Sequence, residues 1–149
     1  MQVKDLLEKG EKTVHSIGPE ETVAAALKLM SGYSISALLV MDGQRIAGIF
    51  TERDLLRCHV VFPEKQIQEI QVKSVMTAGL IVAEPLDEIK DAMAMMIQAK
   101  IRHLPVIEDG AIKGLLGLED LVRYHVGALT QELHYLQDYV TDLQDAARD

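Results

Sequence analysis

The chain has 149 residues, of which 48% are hydrophobic, and this content suits one compact domain or two small units that share a core. The formal net charge is −8, which disfavours a general nucleic-acid binder because such a protein needs a positive field. The only cysteine, Cys58, excludes an intrachain disulfide, and the charged N-terminal segment has no signal-peptide pattern. No apolar run is long enough to cross a membrane, so we expect a cytoplasmic protein without a membrane partner.

An internal repeat organises the chain. The text "DLLRCHV" begins at Asp54 and "DLVRYHV" begins at Asp120, 66 positions later. The text "VKDLL" begins at Val3 and "VKSVM" begins at Val72, 69 positions later, so the first copy has about three extra residues near positions 8–12. The sequence therefore predicts two copies of one structural unit.

Both copies predict the same order of elements: a helical turn, a short strand, a helix, two strands joined by a tight turn, and a closing helix. In the first copy these lie at 3–8, 13–17, a helix that opens at Pro19, 37–41, 46–50 and 51–60. In the second copy they lie at 72–76, 80–83, a helix that opens at Pro85, 104–107, 112–116 and 117–126.

A unit of about 60 residues buries too little surface to be stable alone, so we expect the two copies to pack face to face. The predicted fold class is α/β (α+β), with two β-α-β-β-α repeats related by a pseudo-twofold axis. The repeats span residues 1–60 and 72–126, and the polar segment 61–71 links them.

Residues 127–149 predict a C-terminal amphipathic helix. Its apolar residues are spaced alternately by four and three positions, which is the spacing of a coiled-coil seam: Leu129, Leu133, Leu136, Val140 and Leu143. Such a helix either packs on its own module or pairs with a second copy, and the sequence leaves both arrangements open.

The repeats resemble the CBS domain, named for cystathionine β-synthase, and a tandem pair of them resembles a Bateman module of stand-alone bacterial two-CBS proteins. The segments "SALLVMDGQRIAGIFTERDLLR", "VKSVMTAGLIVAEPLDEIKDAMAMM" and "IRHLPV" carry the resemblance, which covers residues 1 to about 126. It implies a non-catalytic module that binds an adenosine nucleotide between the repeats and signals through a conformational change to an effector protein. CBS pairs commonly form disc-like dimers, so the resemblance also implies a homodimer.

The stretch from Gly48 through Thr51 to Asp54 fits two interpretations. A threonine followed three residues later by an acid is a helix capping box, which needs no ligand. In the family resembled here, Gly-x-x-Ser/Thr-x-x-Asp binds nucleotides: the aspartate accepts hydrogen bonds from ribose hydroxyls, and the hydroxyl residue reaches ribose or phosphate. The second copy keeps Asp120 but has Gly117 in place of the threonine, so its ribose clamp is incomplete.

A basic pair, Arg102 and His103, occurs only in the second copy. The resemblance implies that one repeat holds adenosine while the other sends basic residues to the phosphate. Arg102 and His103, assisted by Arg53, would then face the phosphate of a nucleotide whose ribose contacts Thr51 and Asp54. A solvated basic face and a core histidine are the alternative interpretations.

The resemblance implies two further sets of site residues. An adenine wall would come from His15, Ile17 and Ala37, and a weaker second site from Asp120, Thr77 and Ser36.

Because the basic pair favours a ligand with at least one phosphate, AMP or NAD(H) leads, and ADP and ATP remain open. The alternatives are a dimerising scaffold with a vestigial site and a sensor of divalent cations or S-adenosylmethionine. No catalytic residues, catalytic cofactor or metal site are expected, because the sequence has no nucleophile triad, glycine-rich phosphate loop or metal-ligand spacing.

Overall fold

The computed structural model describes residues 1–9 and 14–148, and confirms a mixed α/β fold with two small sheets and a long C-terminal helix. The elements are α1 (Val3–Lys9), β1 (Ser16–Ile17), α2 (Val23–Tyr33), β2 (Ala37–Asp42), β3 (Arg45–Thr51), α3 (Glu52–Val61), a 3-10 turn (Val72–Ser74), α4 (Ile89–Ala99), β4 (His103–Glu108), β5 (Ala111–Gly117) and α5 (Leu118–Arg148). Thr13, which begins the first predicted strand, and positions 10–12 of the predicted insertion lie outside the described residues.

The two sheets are versions of one design. In the first, β1 is parallel to β2, and β2 is antiparallel to β3. In the second, β4 is antiparallel to β5, and the pairing slips between Val106 and Ile107, at the position equivalent to the slip between Val40 and Met41.

The strand predicted at 80–83 is reduced to a single bridge between Ala83 and Val106. In the first repeat the amide of Leu39 donates to the carbonyl of His15 at 3.1 Å and extends the parallel pairing. The residue equivalent to Leu39 is Pro105, which has no N–H to donate. The proline therefore removes one bond from the ladder and shortens the strand.

The leading segments of the repeats are exchanged. The amide of Val3 donates to the carbonyl of Asp87 at 2.8 Å, and Val3 is fully buried in the core of the second repeat. Symmetrically, the amide of Val72 donates to the carbonyl of Glu21 at 2.8 Å, and Val72 is buried in the core of the first repeat. Each repeat therefore completes its core with a segment that precedes the other repeat in the chain.

The segment between the repeats is also packed. Ile70 is 3% exposed and belongs to the core of the first repeat, and its carbonyl accepts from the amide of Val23 at 2.8 Å. The polar composition of 61–71 did not predict this anchoring.

A third apolar cluster lies between the repeats and holds them face to face. It contains residues of both: Ala37, Leu39 and Ile49, with partly buried Val14, Met41, Ile46, Leu80, Ile112 and Leu115. Two glycines permit close approach elsewhere: a Cβ on Gly48 would lie 2.6 Å from the carbonyl oxygen of Thr77, and a Cβ on Gly114 would lie 2.5 Å from a methyl group of Leu7.

The predicted closing helix at 117–126 and the predicted tail helix at 127–149 form one continuous helix, α5. Leu121 and Tyr124 pack against the core of the second repeat. Beyond Tyr124, every residue from 125 to 147 is exposed. Over the described residues, none of the helices has the length and apolar character needed to cross a membrane.

Candidate functional site

A cleft of about 1920 Å³ runs between the repeats. A single small-molecule pocket is typically about 300–1,000 Å³, so this cleft has room for more than one ligand of mononucleotide size. It brings together ten of the eleven side chains that the sequence predicted as site residues: His15, Ser36, Ala37, Thr51, Arg53, Asp54, Thr77, Arg102, His103 and Asp120.

Asp54 lies at the start of α3 and is only 2% exposed. Its Oδ2 accepts from the amide of Thr51 at 2.9 Å and from the hydroxyl of Thr51 at 3.3 Å. The guanidinium of Arg57 lies 3.5 Å from Oδ1. The helix-cap interpretation of Thr51 and Asp54 is thus realised, and the same carboxylate lines the cleft.

Thr77 contacts Asp54, whereas the sequence grouped it with Asp120. The hydroxyl of Thr77 donates to Oδ1 of Asp54 at 3.0 Å. The cause is the exchange of leading segments, which pairs Thr77 with Ile49 of β3 through two backbone hydrogen bonds of 2.9 Å. Thr77 therefore belongs to the end of the cleft that contains Asp54.

Arg53 has a partner other than a bound anion. Its guanidinium donates to the carbonyl oxygen of Lys100 at 3.0 Å. Lys100 ends α4 in the left-handed conformation, with φ of 58°, so this carbonyl belongs to the negative end of that helix. The contact explains a cation in the first turn of α3 and joins the two repeats.

His103 and Ser36 form a second contact between the repeats. The hydroxyl of Ser36 lies 3.1 Å from Nε2 of His103. Burial, and next the neighbouring Arg102, lower the pKa of His103 below its ordinary value of 6.5. The imidazole is therefore neutral at pH 7 and offers a hydrogen bond rather than a fixed positive charge.

Asp120 has an open environment although it is equivalent to Asp54. Its side chain is 56% exposed, and its charged neighbour is Arg123, at 4.0 Å. Gly117 leaves the carboxylate uncovered, since it carries no hydroxyl that could bond to it in the way Thr51 bonds to Asp54. The two ends of the cleft thus present one shielded and one accessible carboxylate.

The three residues predicted as an adenine wall occupy three different environments. Ile17 is 7% exposed in the core of the first repeat and does not line the cleft, because alternation along β1 turns its side chain inward. His15 lines the cleft and stacks on Tyr33, with ring centroids 3.9 Å apart. Ala37 is buried between the repeats and also lines the cleft.

Charge in the cleft differs from charge over the whole chain. Its described lining contains six cationic side chains, Lys4, Arg53, Lys100, Arg102, Lys113 and Arg123, and six acidic ones. The cleft is therefore formally neutral within a chain of net charge −8. The sequence prediction did not include Lys4 or Lys113. Comparison of the two repeats could have identified Lys113, because the equivalent residue in the first repeat is the uncharged Ala47.

A metal centre finds no support in the described part of the chain, which contains no group of three or more His, Cys, Asp or Glu side chains that could hold an ion.

The fold and its cleft define a class of protein: a pair of α/β repeats with one large cleft between them. A family model of the CBS domain matches residues 3–60 and again 72–127, and the chain belongs to this family. Paired CBS domains are regulatory, and no catalytic family is indicated for this chain.

Among the related proteins is the "CBS domain-containing protein CBSX3, mitochondrial" of Arabidopsis thaliana. It is 34% identical over 126 residues, which are 81% of this chain and 61% of the relative. The crystal structure of the CBS domain NE2398 is similar with a TM-score of 0.80 and 37% identity, covering 85% of this chain and 98% of that one.

Two similar structures contain adenosine compounds. CBSX2 was solved in complex with AMP, and it has a TM-score of 0.70, 26% identity, and coverage of 85% of this chain and 97% of that one. The CBS domain pair of protein MJ0100 was solved with 5′-methylthioadenosine and S-adenosyl-L-methionine, with a TM-score of 0.70, 25% identity, and coverage of 86% and 98%.

Proposed function

We propose that this chain is a regulatory module that binds AMP in the cleft between its repeats and signals the occupancy to a separate effector protein. The observation that carries the proposal is the position of Asp54, a buried carboxylate that lines the cleft next to two threonine hydroxyls. An ionised carboxylate is the group expected to accept hydrogen bonds from a ribose diol.

The opposite wall favours a ligand with a phosphate. Arg102 is exposed and lines the cleft, and a guanidinium can donate two parallel hydrogen bonds to a phosphate. His103, being neutral, adds a hydrogen bond at this wall. This composition favours AMP over S-adenosylmethionine and 5′-methylthioadenosine, which have no phosphate. NAD(H), which the sequence ranked with AMP, has no counterpart among the ligands of the two related complexes.

Binding at Asp54 would be coupled to the packing of the repeats. A carboxylate accepts about four hydrogen bonds, and Asp54 already receives three. Oδ2 already accepts two hydrogen bonds from Thr51, so a ribose diol binds at Oδ1 and displaces or shares the hydrogen bond from Thr77, which is paired to β3 of the other repeat. Ligand occupancy then changes a contact between the repeats, and this differential contact is what an effector protein could detect.

The test is isothermal titration of nucleotide-free protein with AMP, adenosine, NAD⁺, S-adenosylmethionine and 5′-methylthioadenosine. We expect saturable AMP binding that Asp54→Asn weakens by at least about tenfold, the size of losing a hydrogen bond to a charged group. Arg102→Gln should weaken AMP but leave adenosine unchanged.

Asp120→Asn is the matched control for Asp54→Asn, since it makes the same change at the equivalent position, and the melting temperature of each variant checks folding. Weakening by Asp120→Asn alone would move the site to the other end of the cleft. Failure of every adenosine compound to bind would leave the scaffold as the function.

A further inference from the structure

The C-terminal half of α5 is an amphipathic helix without a packing partner among residues 1–9 and 14–148, which the structure describes. Residues 125–147 are all exposed, and at 1.5 Å per residue they extend about 35 Å beyond the second repeat. Most of the stability of a helix in a protein comes from packing its apolar face, so a helix of this length with that face open to water calls for a partner.

That face is a regular seam. Seven apolar residues follow the coiled-coil spacing over three heptads: Val122, Val126, Leu129, Leu133, Leu136, Val140 and Leu143. Each is between 41% and 57% exposed. A heptad pattern sustained over three repeats, with side chains half open to water on a single face, is typical of a coiled coil.

The residue types at the seam favour two parallel strands. In heptad notation Val126, Leu133 and Val140 occupy the a positions, and the other four occupy the d positions. Valine at two of three a positions with leucine at three of four d positions is the combination that favours a parallel dimer over higher oligomers.

Charge along the helix is compatible with a second copy. The acids Asp138 and Asp145 occupy f positions and Asp142 a c position, on the side away from the seam. In a parallel pair, Glu132 at g lies next to Gln137 at e of the partner helix, so no like charges face each other there.

The seam supplies much of the apolar area that a dimer needs. Completing the burial of the seven half-exposed residues on each of two helices removes roughly 700 Å² of apolar surface from water, and the flanking e and g side chains supply the rest of the roughly 1,000 Å² expected of a stable interface. We infer that the Val122–Leu143 seam of α5 joins two copies of this chain as a parallel two-stranded coiled coil. This inference does not depend on the proposed ligand.

Sedimentation velocity of the full chain, freed of nucleotide, tests the interface. We expect a dimer at micromolar concentration. The double variant Leu129→Lys/Leu136→Lys should weaken the dimer at least about a hundredfold, because it places four charges in the seam. The matched control is Gln131→Lys/Asp138→Lys, which has the same spacing on the opposite face and should remain dimeric.

Circular dichroism and the thermal transition show whether each variant keeps its folded repeats. A monomeric wild-type chain would overturn the inference, and so would a folded double variant that remains as dimeric as the wild type.

Disulfide crosslinking tests the orientation. In a parallel pair the two copies of position 143 face each other, so Leu143→Cys should form a covalent dimer under mild oxidation. Asp145→Cys, on the outer face, and the wild type, whose Cys58 is buried, should not. A dimer that fails to crosslink through Leu143→Cys would overturn the parallel arrangement.

Discussion

Asp54 and Asp120 show how one residue type at equivalent positions acquires different roles. Asp54 receives hydrogen bonds from Thr51 and Thr77 and is buried, whereas Asp120 is open because Gly117 supplies no hydroxyl. Under the proposed function, the first carboxylate is already ordered for a ligand but must exchange an internal partner to bind one. The second needs no exchange but would have to be ordered on binding, at a cost in side-chain entropy.

Glycine occupies the equivalent positions 48 and 114 of the two repeats. The steric requirement for glycine at position 48 gives a direct prediction. Gly48→Ala places a Cβ 2.6 Å from the backbone carbonyl of Thr77, and a backbone atom cannot yield as a flexible side chain does. We expect a loss of about 1–3 kcal/mol in the free energy of unfolding, measured by urea titration. Gly32→Ala is the control, since its Cβ would meet no atom within 4 Å, and it should be neutral or slightly stabilising. Equal stability of the two variants would contradict the close approach.

His103 gives a pH prediction whose sign follows from its burial. Burial and Arg102 lower its pKa in the folded protein, against the weaker opposing effects of Glu52, Glu119 and Asp120. As the pH falls through the ordinary value of 6.5, the unfolded chain binds a proton at this position before the folded chain does. Stability is therefore lost on acidification below that pH and is fully present above it.

The measurement compares the wild type with His103→Gln by urea titration between about pH 7.5 and about pH 5. The wild type should lose more stability over this interval than the variant, because the other titrating groups are common to both. Parallel pH profiles would show that the folded and unfolded states bind protons equally at His103.

At the level of elements, the sequence predicted the order and type of the helices and strands because the repeat offered two independent copies of each pattern. It missed what depends on contacts distant in sequence. The strand at 80–83 was lost because Pro105, more than twenty residues away, cannot donate to it. The position of Thr77 was missed for a similar reason, since local pattern gives no sign that leading segments are exchanged.

The residues that line the cleft were predicted more fully than the contacts they make. Ten of the eleven residues line the cleft because the family pattern fixes their place along each strand and helix. Ile17 does not line the cleft. A strand of two residues has too few positions for the alternation of its side chains to indicate which face is inward. The contact of Arg53 with Lys100 joins different repeats, so no periodicity within one repeat could predict it.

The packing of α1 against the second repeat gives a prediction about the stability of that repeat. Val3 is fully buried among residues of the second repeat, although it precedes the first. Val3→Ala should cost about 2 kcal/mol of stability, the loss of most of one buried valine side chain. In the Val3→Ala variant, amide hydrogen exchange should be faster than in the wild type in α4 and β4, but not in α2 and β2. Lys4→Ala, an exposed change on the same helix, should alter neither quantity. Faster amide hydrogen exchange confined to the first repeat would contradict the packing of this leading segment against the second repeat.

Over the whole molecule, three sets of contacts make the two repeats interdependent: the exchanged segments, the apolar cluster between the sheets, and the polar contacts of Arg53 and His103 across the cleft. Under the proposed function, a ligand in the cleft contacts both repeats, so these contacts would transmit a shift of one repeat to the other. We therefore expect the chain to unfold as one cooperative unit despite its duplicated sequence.

Fragments of the chain test whether each repeat depends on the segment that leads the other repeat. A fragment of residues 1–71 contains the whole first repeat as the sequence defines it, but it lacks Val72 and Val75, which fill that repeat's core. A fragment of residues 14–77 is shorter, yet it contains every buried residue of this core. We therefore expect 14–77 to give the better dispersed amide NMR spectrum and the higher melting temperature, because a core of this size tolerates few missing side chains.

Mixing 1–71 with 72–149 should restore the folded state, since each fragment supplies the segment that the other lacks. A well-folded 1–71 alongside an unfolded 14–77 would show that each repeat is completed by its own leading segment.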